Sequence, residues 1–270
     1  MNFKKIILYP LRILKKIFCF LKIEFNELKN PISKRYLKLL ETYKLCDLEK
    51  DRDHYLSRLN SILKSLGFKT YNEHEGMYSE HLILFSALSV CNENIKNILE
   101  IGTHNGMTAC VLSLLFPSAK IITIDLKDND PIFKNTYGRK DNLKLFIKER
   151  NKLISKYSNI NFVQLNSLEL TTKIIFDKQD LIWVDGAHGY PIVTSDITNA
   201  IGLMHKKSIL MCDDIWKNRK KNDKMYESNA GFETLNSFSN AKIIKNFYFR
   251  KRIGKFFNGN YKYISFSKLT

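Results

Sequence analysis

The chain lacks paired cysteines. It has five cysteines in 270 residues, and no two of them form a Cys-x-x-Cys motif. Three lie inside apolar runs, where a free cysteine behaves as a small buried hydrophobic side chain. The cysteine pattern therefore argues against a disulfide framework and against a zinc site, and it favours a reducing compartment, which here means the cytoplasm.

The chain also lacks an uninterrupted apolar run long enough to span a membrane, which takes about 20 residues. Residues 1–23 are rich in Phe, Ile and Leu, but Lys and Arg interrupt them, and no acid appears before Glu24. No small-residue cleavage site follows, as a signal peptide would require. Two interpretations stay open. Residues 1–23 form an amphipathic helix that lies peripherally on an anionic membrane, or a helix packed on the core or on a second subunit of a homo-oligomer.

Acidic residues are scarce at both ends of the chain, and the formal net charge is +17. Residues 1–70 carry +9 and residues 216–270 carry +10, whereas residues 71–215 carry −2. Basic flanks of this kind can bind phosphate groups, but a composition rich in Lys, Asn and Ile also follows from an AT-rich genome. The charge alone therefore gives no strong nucleic-acid signal.

The most informative stretch begins with a predicted strand over residues 96–101. Gly102 and Gly106 form a Gly-x-x-x-Gly turn, and a helix is predicted directly after it, over residues 107–115. Glycines let a backbone approach a ligand closely, and a helix N-terminus offers free N–H groups. Glu100 at the end of the strand would repel a pyrophosphate but could bind a cationic amine or ribose hydroxyls. This favours a nucleoside site, and the absence of Gly-x-Gly-x-x-Gly argues against a hydride-transferring dehydrogenase.

Apolar strands and helices alternate from here on, which predicts an α/β fold with a doubly wound, mostly parallel sheet of seven strands. Each strand is a continuous apolar run, as expected when both faces of a sheet are covered. The tail has period-2 apolar positions instead and predicts a C-terminal antiparallel hairpin. Further strands are predicted at 119–124, 160–165, 180–184, 208–212, 241–250 and 260–267, and further helices at 139–157, 190–205 and 227–238.

The region before the glycine turn is predicted to be helical. Apolar residues recur at helical spacing across residues 33–66, Gly67 ends this run as a C-cap would, and another helix is predicted over residues 79–91. The chain is therefore divided into a basic helical N-terminal extension at residues 1–70 and one α/β domain at residues 71–270.

Polar residues follow the apolar run of five successive strands. Ligands bind at the carboxyl ends of the strands in open α/β sheets, so these residues are candidate binding residues. An acid at the end of the second strand can bind both hydroxyls of a ribose, and small polar side chains after the third suit an adenine edge. Besides Glu100, the residues at these ends are Asp125, Asn166, Ser167, Asp185, Asp213 and Asp214.

Asp185, Asp213 and Asp214 follow neighbouring strands. Three close carboxylates repel one another unless a cation neutralises them, and ligation by oxygen atoms alone suits Mg²⁺. His188 lies three residues after Asp185 and, with an ordinary pKa of about 6.5, is a candidate to accept a proton from a metal-bound hydroxyl.

In these motifs the chain resembles the class I S-adenosylmethionine-dependent methyltransferases. It looks in particular like the methyltransferase domain 24 family and its metal-dependent O-methyltransferase relatives. The resemblance covers about residues 76–270 and implies a Rossmann-like fold. Its motifs are Leu-Glu-Ile-Gly-Thr-His-Asn-Gly from Leu99, Ile124-Asp125, Val-Asp-Gly-Ala-His-Gly-Tyr from Val184 and Cys-Asp-Asp-Ile from Cys212.

The resemblance implies that the cofactor S-adenosylmethionine binds along the first three strand ends. Asp125 would bind the ribose, and Asn166 with Ser167 the adenine. The residues implied for the methionine part are Glu100, Gly102, Thr103 and Gly106.

The resemblance also implies a catalytic group after the fourth and fifth strands. Asp185 matches one metal ligand of catechol-type O-methyltransferases, where it also borders the cofactor, and Asp213 and Asp214 match an adjacent pair. His188 stands where those enzymes carry a lysine base, as in relatives that act on sugar hydroxyls.

The predicted reaction is an in-line methyl transfer from S-adenosylmethionine to a hydroxyl of a sugar, glycan or other small molecule. A divalent ion would lower the pKa of the hydroxyl, and His188 would accept its proton. Two alternatives stay open. One is a nucleic-acid methyltransferase, although the chain has no recognisable RNA-binding module and no Asn-Pro-Pro-Tyr-like motif. The other is a non-catalytic scaffold that binds partners through residues 1–70.

Overall fold

The structure is a computed structural model of the chain. It describes residues 18, 21, 31–48, 51–72, 78–173, 177–217, 228–253 and 262–270. The predicted membrane-surface or subunit-packing helix at residues 1–23 and the predicted hairpin loop at residues 254–259 lie outside the described residues. The two exceptions are Phe18 and Leu21, whose side chains are exposed.

Helices and strands alternate through most of the described chain. The helices are α1 (Ile32–Leu45), α2 (Arg52–Ser65), α3 (Glu80–Cys91), α4 (Met107–Leu115), α5 (Pro131–Asn135), α6 (Leu143–Ile154), α7 (Leu170–Lys173), α8 (Ile192–Gly202) and α9 (Ala230–Asn240), with 3-10 turns at Thr136–Asn142 and Ser167–Glu169. The strands are β1 (Asn97–Ile101), β2 (Lys120–Asp125), β3 (Ile160–Gln164), β4 (Gln179–Val184), β5 (Met204–Trp216), β6 (Ile244–Arg250) and β7 (Lys262–Leu269).

The seven strands form one sheet in the order β3-β2-β1-β4-β5-β7-β6. The first five strands in this order are parallel, and β7 pairs antiparallel with both β5 and β6. This confirms the predicted fold class, including the antiparallel hairpin at the C-terminus. The chain leaves β1 toward β2 and later returns to β4 on the other side, so the switch point of the sheet lies between β1 and β4. Ligands bind at such a point.

The apolar runs in the strands are explained by burial on both faces of the sheet. On β4, Leu181 and Trp183 belong to the core beneath α1–α4, whereas Ile182 and Val184 belong to the core beneath α8 and α9. Side chains alternate between the faces along a strand, so a strand covered on both sides needs apolar residues at every position.

Several predicted elements differ from the structure at their ends, and three of them are instructive. The helix predicted over 139–157 is shorter, because residues 136–142 form a 3-10 turn before α6. Helix α8 begins at Ile192, after Pro191, and ends at Gly202, so the prediction of 190–205 is too long. Strand β5 extends from Met204 to Trp216, well beyond the predicted 208–212, because β7 pairs with its far end.

The described helices of the predicted extension pack against the rest of the fold, α1 against β6 and α2 against α3 and α4. Tyr43 and Tyr55 are buried in the same core as Trp183 and Phe249. The guanidinium of Arg52 on α2 donates two hydrogen bonds, of 2.8 and 2.7 Å, to the carboxylate of Glu80 at the start of α3. No helix in the described part of the chain is long and apolar enough to cross a membrane.

Candidate active site at the carboxyl edge of the sheet

The glycine turn after β1 requires glycine for two reasons. Gly102 has a φ of +107° and Gly106 a φ of +81°, in the left-handed region that side chains disfavour. A Cβ on Gly102 would also lie 2.3 Å from the backbone carbonyl oxygen of Asp185, far inside contact distance. The turn after β1 therefore packs directly on the end of β4, at the switch point of the sheet.

Glu100 is fully buried on β1, and the structure surrounds it with neutral groups. The hydroxyl of Thr123 on β2 donates a 2.5 Å hydrogen bond to Oε2 of Glu100. The hydroxyl of Thr103 lies 2.6 Å from that of Thr123, which places Thr103 next in the chain of hydrogen bonds. Oε1 of Glu100 is buried without a hydrogen-bond partner among the described residues. Burial raises the pKa of Glu100 to about 8.

Asp125 ends β2 and holds the glycine turn in place. Its Oδ2 accepts a 2.8 Å hydrogen bond from the backbone N–H of His104, and its Oδ1 accepts one of 2.8 Å from the N–H of Leu126. Burial raises the pKa of Asp125, although these two N–H groups oppose the shift. Each carboxylate oxygen has lone pairs for about two hydrogen bonds, so both can accept one more from a ligand.

Asn166 and Ser167 lie after β3, where the sequence placed them. Oδ1 of Asn166 accepts a 3.0 Å hydrogen bond from the N–H of Leu168 and so caps a short 3-10 turn. Ser167 contacts Asp196 on α8 and opposes the rise that burial causes in the pKa of Asp196, to about 6. The buried Asp196 was not singled out from the sequence, because nothing in its helix marks it as different from a solvated acid.

The structure brings Asp185, Asp213 and Asp214 together, and we call these three residues the acidic cluster. Nε2 of His188 lies 3.6 Å from Oδ1 of Asp185 and 3.9 Å from Oδ2 of Asp214. The β5–β7 pairing shifts register between Cys212 and Ile215, and Asp214 has a φ of +52°. This irregularity lets two successive aspartates both reach the cluster, although a regular strand would point them to opposite faces.

Two lysines from the C-terminal hairpin also reach the acidic cluster. Nζ of Lys251 contacts Oδ2 of Asp213 and lies 2.6 Å from Oδ1 of Asp214, and Nζ of Lys262 contacts Oδ2 of Asp214. Neither lysine was predicted from the sequence, because both lie in a tail with many basic residues. The available signal was the predicted hairpin, which places its strands next to the end of β5.

These contacts set the protonation of the cluster. Burial, and then the neighbouring Asp213, raise the pKa of Asp185 well above its ordinary value. Burial would also raise the pKa of Asp213 and of Asp214, but Lys251 helps to hold both below the ordinary value. Burial lowers the pKa of His188, so its imidazole is mostly neutral at neutral pH.

The side chains of the cluster do not fit a divalent cation, contrary to the Mg²⁺ site expected at Asp185, Asp213 and Asp214. The carboxylates are close together as predicted, but ammonium groups already contact one oxygen of Asp213 and both oxygens of Asp214. Within the described ranges, no group of three or more His, Cys, Asp or Glu side chains has an arrangement that could hold a metal ion. The expectation overlooked that a lysine can supply the neutralising charge.

Comparison with known proteins agrees with the fold and the motifs. The sequence profile of a family described as methyltransferase domain matches residues 99–215. A search of curated protein sequences finds no match.

Similar solved structures include a proposed caffeoyl-CoA O-methyltransferase from Staphylococcus aureus, with a TM-score of 0.52, 13% identity, and coverage of 86% of this chain and 100% of the other. Cofactor-bound Rv0187 from MTB has a TM-score of 0.51 and 12% identity over 82% of this chain and 91% of the other. A proposed O-methyltransferase from Klebsiella pneumoniae has a TM-score of 0.50 and 14% identity over 80% and 90%. At these identities the likeness concerns the fold.

The sheet order and the glycine turn define a Rossmann-like fold. Residues 99–215 match a methyltransferase domain, and the chain has the fold of the class I S-adenosylmethionine-dependent methyltransferases.

Proposed function

We propose that the chain methylates a hydroxyl group of a sugar or another polyhydroxylated small molecule, with S-adenosylmethionine as the methyl donor and His188 as the base. The observation that carries the proposal is the position of His188. Its ring lies beside Asp185, whose backbone packs on Gly102 of the glycine turn. A base next to the cofactor turn is placed to act on a hydroxyl that approaches the methyl group.

The cofactor residues proposed from the sequence have groups that suit each part of S-adenosylmethionine. Gly102, Thr103 and Gly106 shape the turn, and the unpartnered oxygen of Glu100 suits the methionine amine. Asp125 has free lone pairs for the ribose hydroxyls. Bound there, the cofactor supplies an electrophilic methyl carbon, and the protein's part is to position the acceptor in line with it. Asn166, Ser167 and Asp185 would border the adenine and the methyl group.

His188 has the properties of a general base in this arrangement. Its side chain is 10% exposed, so bulk water is largely excluded. A neutral imidazole can accept the proton that the hydroxyl loses, and the carboxylate of Asp214 at 3.9 Å stabilises the imidazolium that forms. The structurally similar proteins described as O-methyltransferases support an oxygen acceptor. The divalent ion expected from the sequence has no part in this proposal, because the cluster does not fit one.

The first experiment is calorimetric titration of the protein with S-adenosylhomocysteine, followed by a methyl-transfer assay over a panel of sugars, glycolipid headgroups, catechols and RNA. We expect micromolar binding and turnover on a hydroxylated small molecule. His188→Ala should keep the binding and lower kcat by about 10²- to 10⁴-fold. His54→Ala is the matched control, because His54 is exposed on α2, away from the site.

Each alternative has its own outcome in this experiment. Turnover on RNA alone, with salt-dependent binding, would establish the nucleic-acid methyltransferase instead. An absence of S-adenosylhomocysteine binding would favour the non-catalytic scaffold. Full activity of His188→Ala would remove His188 from the mechanism.

A further inference from the structure

We propose that Lys251 is the built-in cation of the acidic cluster and that it takes the place of a divalent metal, so that the site works without one. The inference about the cluster itself stands on its contacts. Its consequence for catalysis rests on the proposed function.

The ammonium of Lys251 bridges the two aspartates that follow each other on β5. It contacts Oδ2 of Asp213 and lies 2.6 Å from Oδ1 of Asp214. A cation that bridges adjacent carboxylates would lie in the same position. The side chains of Lys251 and Asp213 are only 16% and 5% exposed, so water screens this interaction poorly.

The charges of Asp213 and Asp214 are balanced without a further ion. Lys262 contacts the second oxygen of Asp214, so two ammonium groups face the adjacent pair of carboxylates, Asp213 and Asp214. A divalent ion within bonding distance of these oxygens would meet two positive charges at close range, and this repulsion is strong in a site shielded from water. Lys251 would have to leave before such an ion could bridge Asp213 and Asp214.

Lys251 is fixed by its backbone on two sides. Its N–H donates a 3.0 Å hydrogen bond to the carbonyl of Lys262, and its own carbonyl accepts one of 3.1 Å from the N–H of Glu80. Glu80 is itself held by two hydrogen bonds from Arg52 and by one of 2.7 Å from the hydroxyl of Tyr43. The lysine is therefore presented by a rigid part of the fold, which distinguishes it from a lysine on a solvated surface.

The test is a titration of the full chain with Mn²⁺. The electron paramagnetic resonance signal of free Mn²⁺ is the readout. We expect the wild type to take up no Mn²⁺ at millimolar concentration. Lys251→Met should take up Mn²⁺ with an affinity at least about tenfold above any affinity of the wild type, because the substitution frees carboxylates that can hold the ion. Lys268→Met is the matched control. Lys268 lies on β7 of the same sheet and pairs with Asp47, which follows α1, away from the cluster. Its loss should leave the titration as in the wild type.

Two results would overturn the proposal. Tight Mn²⁺ binding by the wild type would show that the lysine does not occupy the cation's place, and this result needs no variant. A folded Lys251→Met that is as inert to Mn²⁺ as the wild type would also do so. If Lys251→Met fails to fold, Lys251→Gln, which keeps a polar group in the same position, replaces it.

The catalytic consequence is measured separately. Methyl transfer by the wild type should be unchanged in excess chelator, and a loss of more than about tenfold that Mg²⁺ restores would contradict metal independence. Failure of the proposed function would appear differently. In that case S-adenosylhomocysteine would not bind with or without chelator, while the Mn²⁺ titrations would keep their outcome.

Discussion

Two pairs of carboxylates share the carboxyl edge of this sheet, and the protein treats them in opposite ways. Glu100 and Asp125, the carboxylates beside the glycine turn, contact hydroxyl and backbone N–H groups. In the acidic cluster, Asp213 and Asp214 contact lysine ammonium groups from the C-terminal hairpin. The pKa of Glu100 is raised, whereas that of Asp214 is lowered.

The difference shows two ways to bury an acid. A carboxylate shielded from water without a cation becomes neutral by keeping its proton, and a carboxylate next to an ammonium stays ionised. The first arrangement keeps the capacity to bind a polar or cationic ligand, which suits a cofactor site. The second arrangement satisfies its own charge, which suits a fixed wall against which a base and an acceptor are oriented.

The largest expected effect comes from a change at Gly102, where the glycine turn beside Glu100 and Asp125 packs on the backbone of Asp185. Gly102→Ala places a Cβ 2.3 Å from the carbonyl oxygen of Asp185 and adds side-chain strain at a φ of +107°. The overpacking and the strained backbone should together cost about 4 kcal/mol in the free energy of unfolding. Chemical denaturation measures this loss, and S-adenosylhomocysteine binding should disappear with it.

Gly67→Ala separates the two causes. Gly67 ends α2 at a φ of +78°, but a Cβ there has nothing within 4 Å. Gly67→Ala should therefore lower the free energy of unfolding only by the cost of the left-handed backbone conformation, about 1 kcal/mol. Equal losses in the two variants would mean that the contact between Gly102 and Asp185 does not constrain the turn.

The second largest effect tests the acidic cluster alone. Lys251→Met leaves two shielded carboxylates with one ammonium, and losing one partner of such a group costs about 3 kcal/mol in stability. Asp213→Asn in the same chain should recover part of this loss, because it removes the uncompensated charge. Urea denaturation of the single and double variants measures the coupling, and simple additivity would contradict a charge-based contact.

The architecture was predictable because it depends on local patterns. The continuous apolar runs of β1 and β4 and the period-2 tail are visible in the sequence, and they give strand type, parallel direction and hairpin without long-range information. The ends of elements were less predictable. The residues at 136–142 have no local signal that separates a 3-10 turn from the first turns of α6, and the length of β5 depends on its pairing with β7.

The site was predictable in one half and incomplete in the other. The residues after the strands gather at one edge because parallel strands end together, so the proximity of Asp185, Asp213, Asp214 and His188 followed from topology. The hydrogen-bond and ion-pair partners of these acids did not follow from topology. Thr123 looks like an ordinary strand residue, and Lys251 is one of many basic residues in the tail. Side-chain contacts between distant segments decide what neutralises a buried acid, and sequence spacing does not contain them.

The third prediction tests whether Asp125 serves the cofactor. Asp125→Ala removes an acceptor for ribose hydroxyls and releases the N–H of His104, which should weaken S-adenosylhomocysteine binding by about 2 kcal/mol, or roughly 30-fold. Asp180→Ala is the control, since Asp180 also accepts two backbone N–H groups at 2.8 Å but lies at the opposite end of β4. If calorimetry shows that both variants bind S-adenosylhomocysteine equally well, Asp125 only supports the turn.

The effect expected from Glu100 is the smallest for each step of the variable that is changed, about 1 kcal/mol per pH unit, and it separates a neutral buried acid from an ionised one. The ordinary pKa of 4.5 applies to the unfolded chain, and burial raises the pKa to about 8 in the folded chain. Between these values the folded state binds more protons than the unfolded state, so this contribution to stability is full below the lower value and is lost as the pH rises through the upper one. Glu100→Gln has no proton to lose. Its stability relative to the wild type should therefore rise by about 1 kcal/mol per pH unit from about pH 5 to about pH 8, as measured by urea denaturation. A difference that stays constant over this range would mean that Glu100 is already ionised in the folded protein. Glu100 would then need a cation of its own, and the contrast with Asp213 and Asp214 would fail.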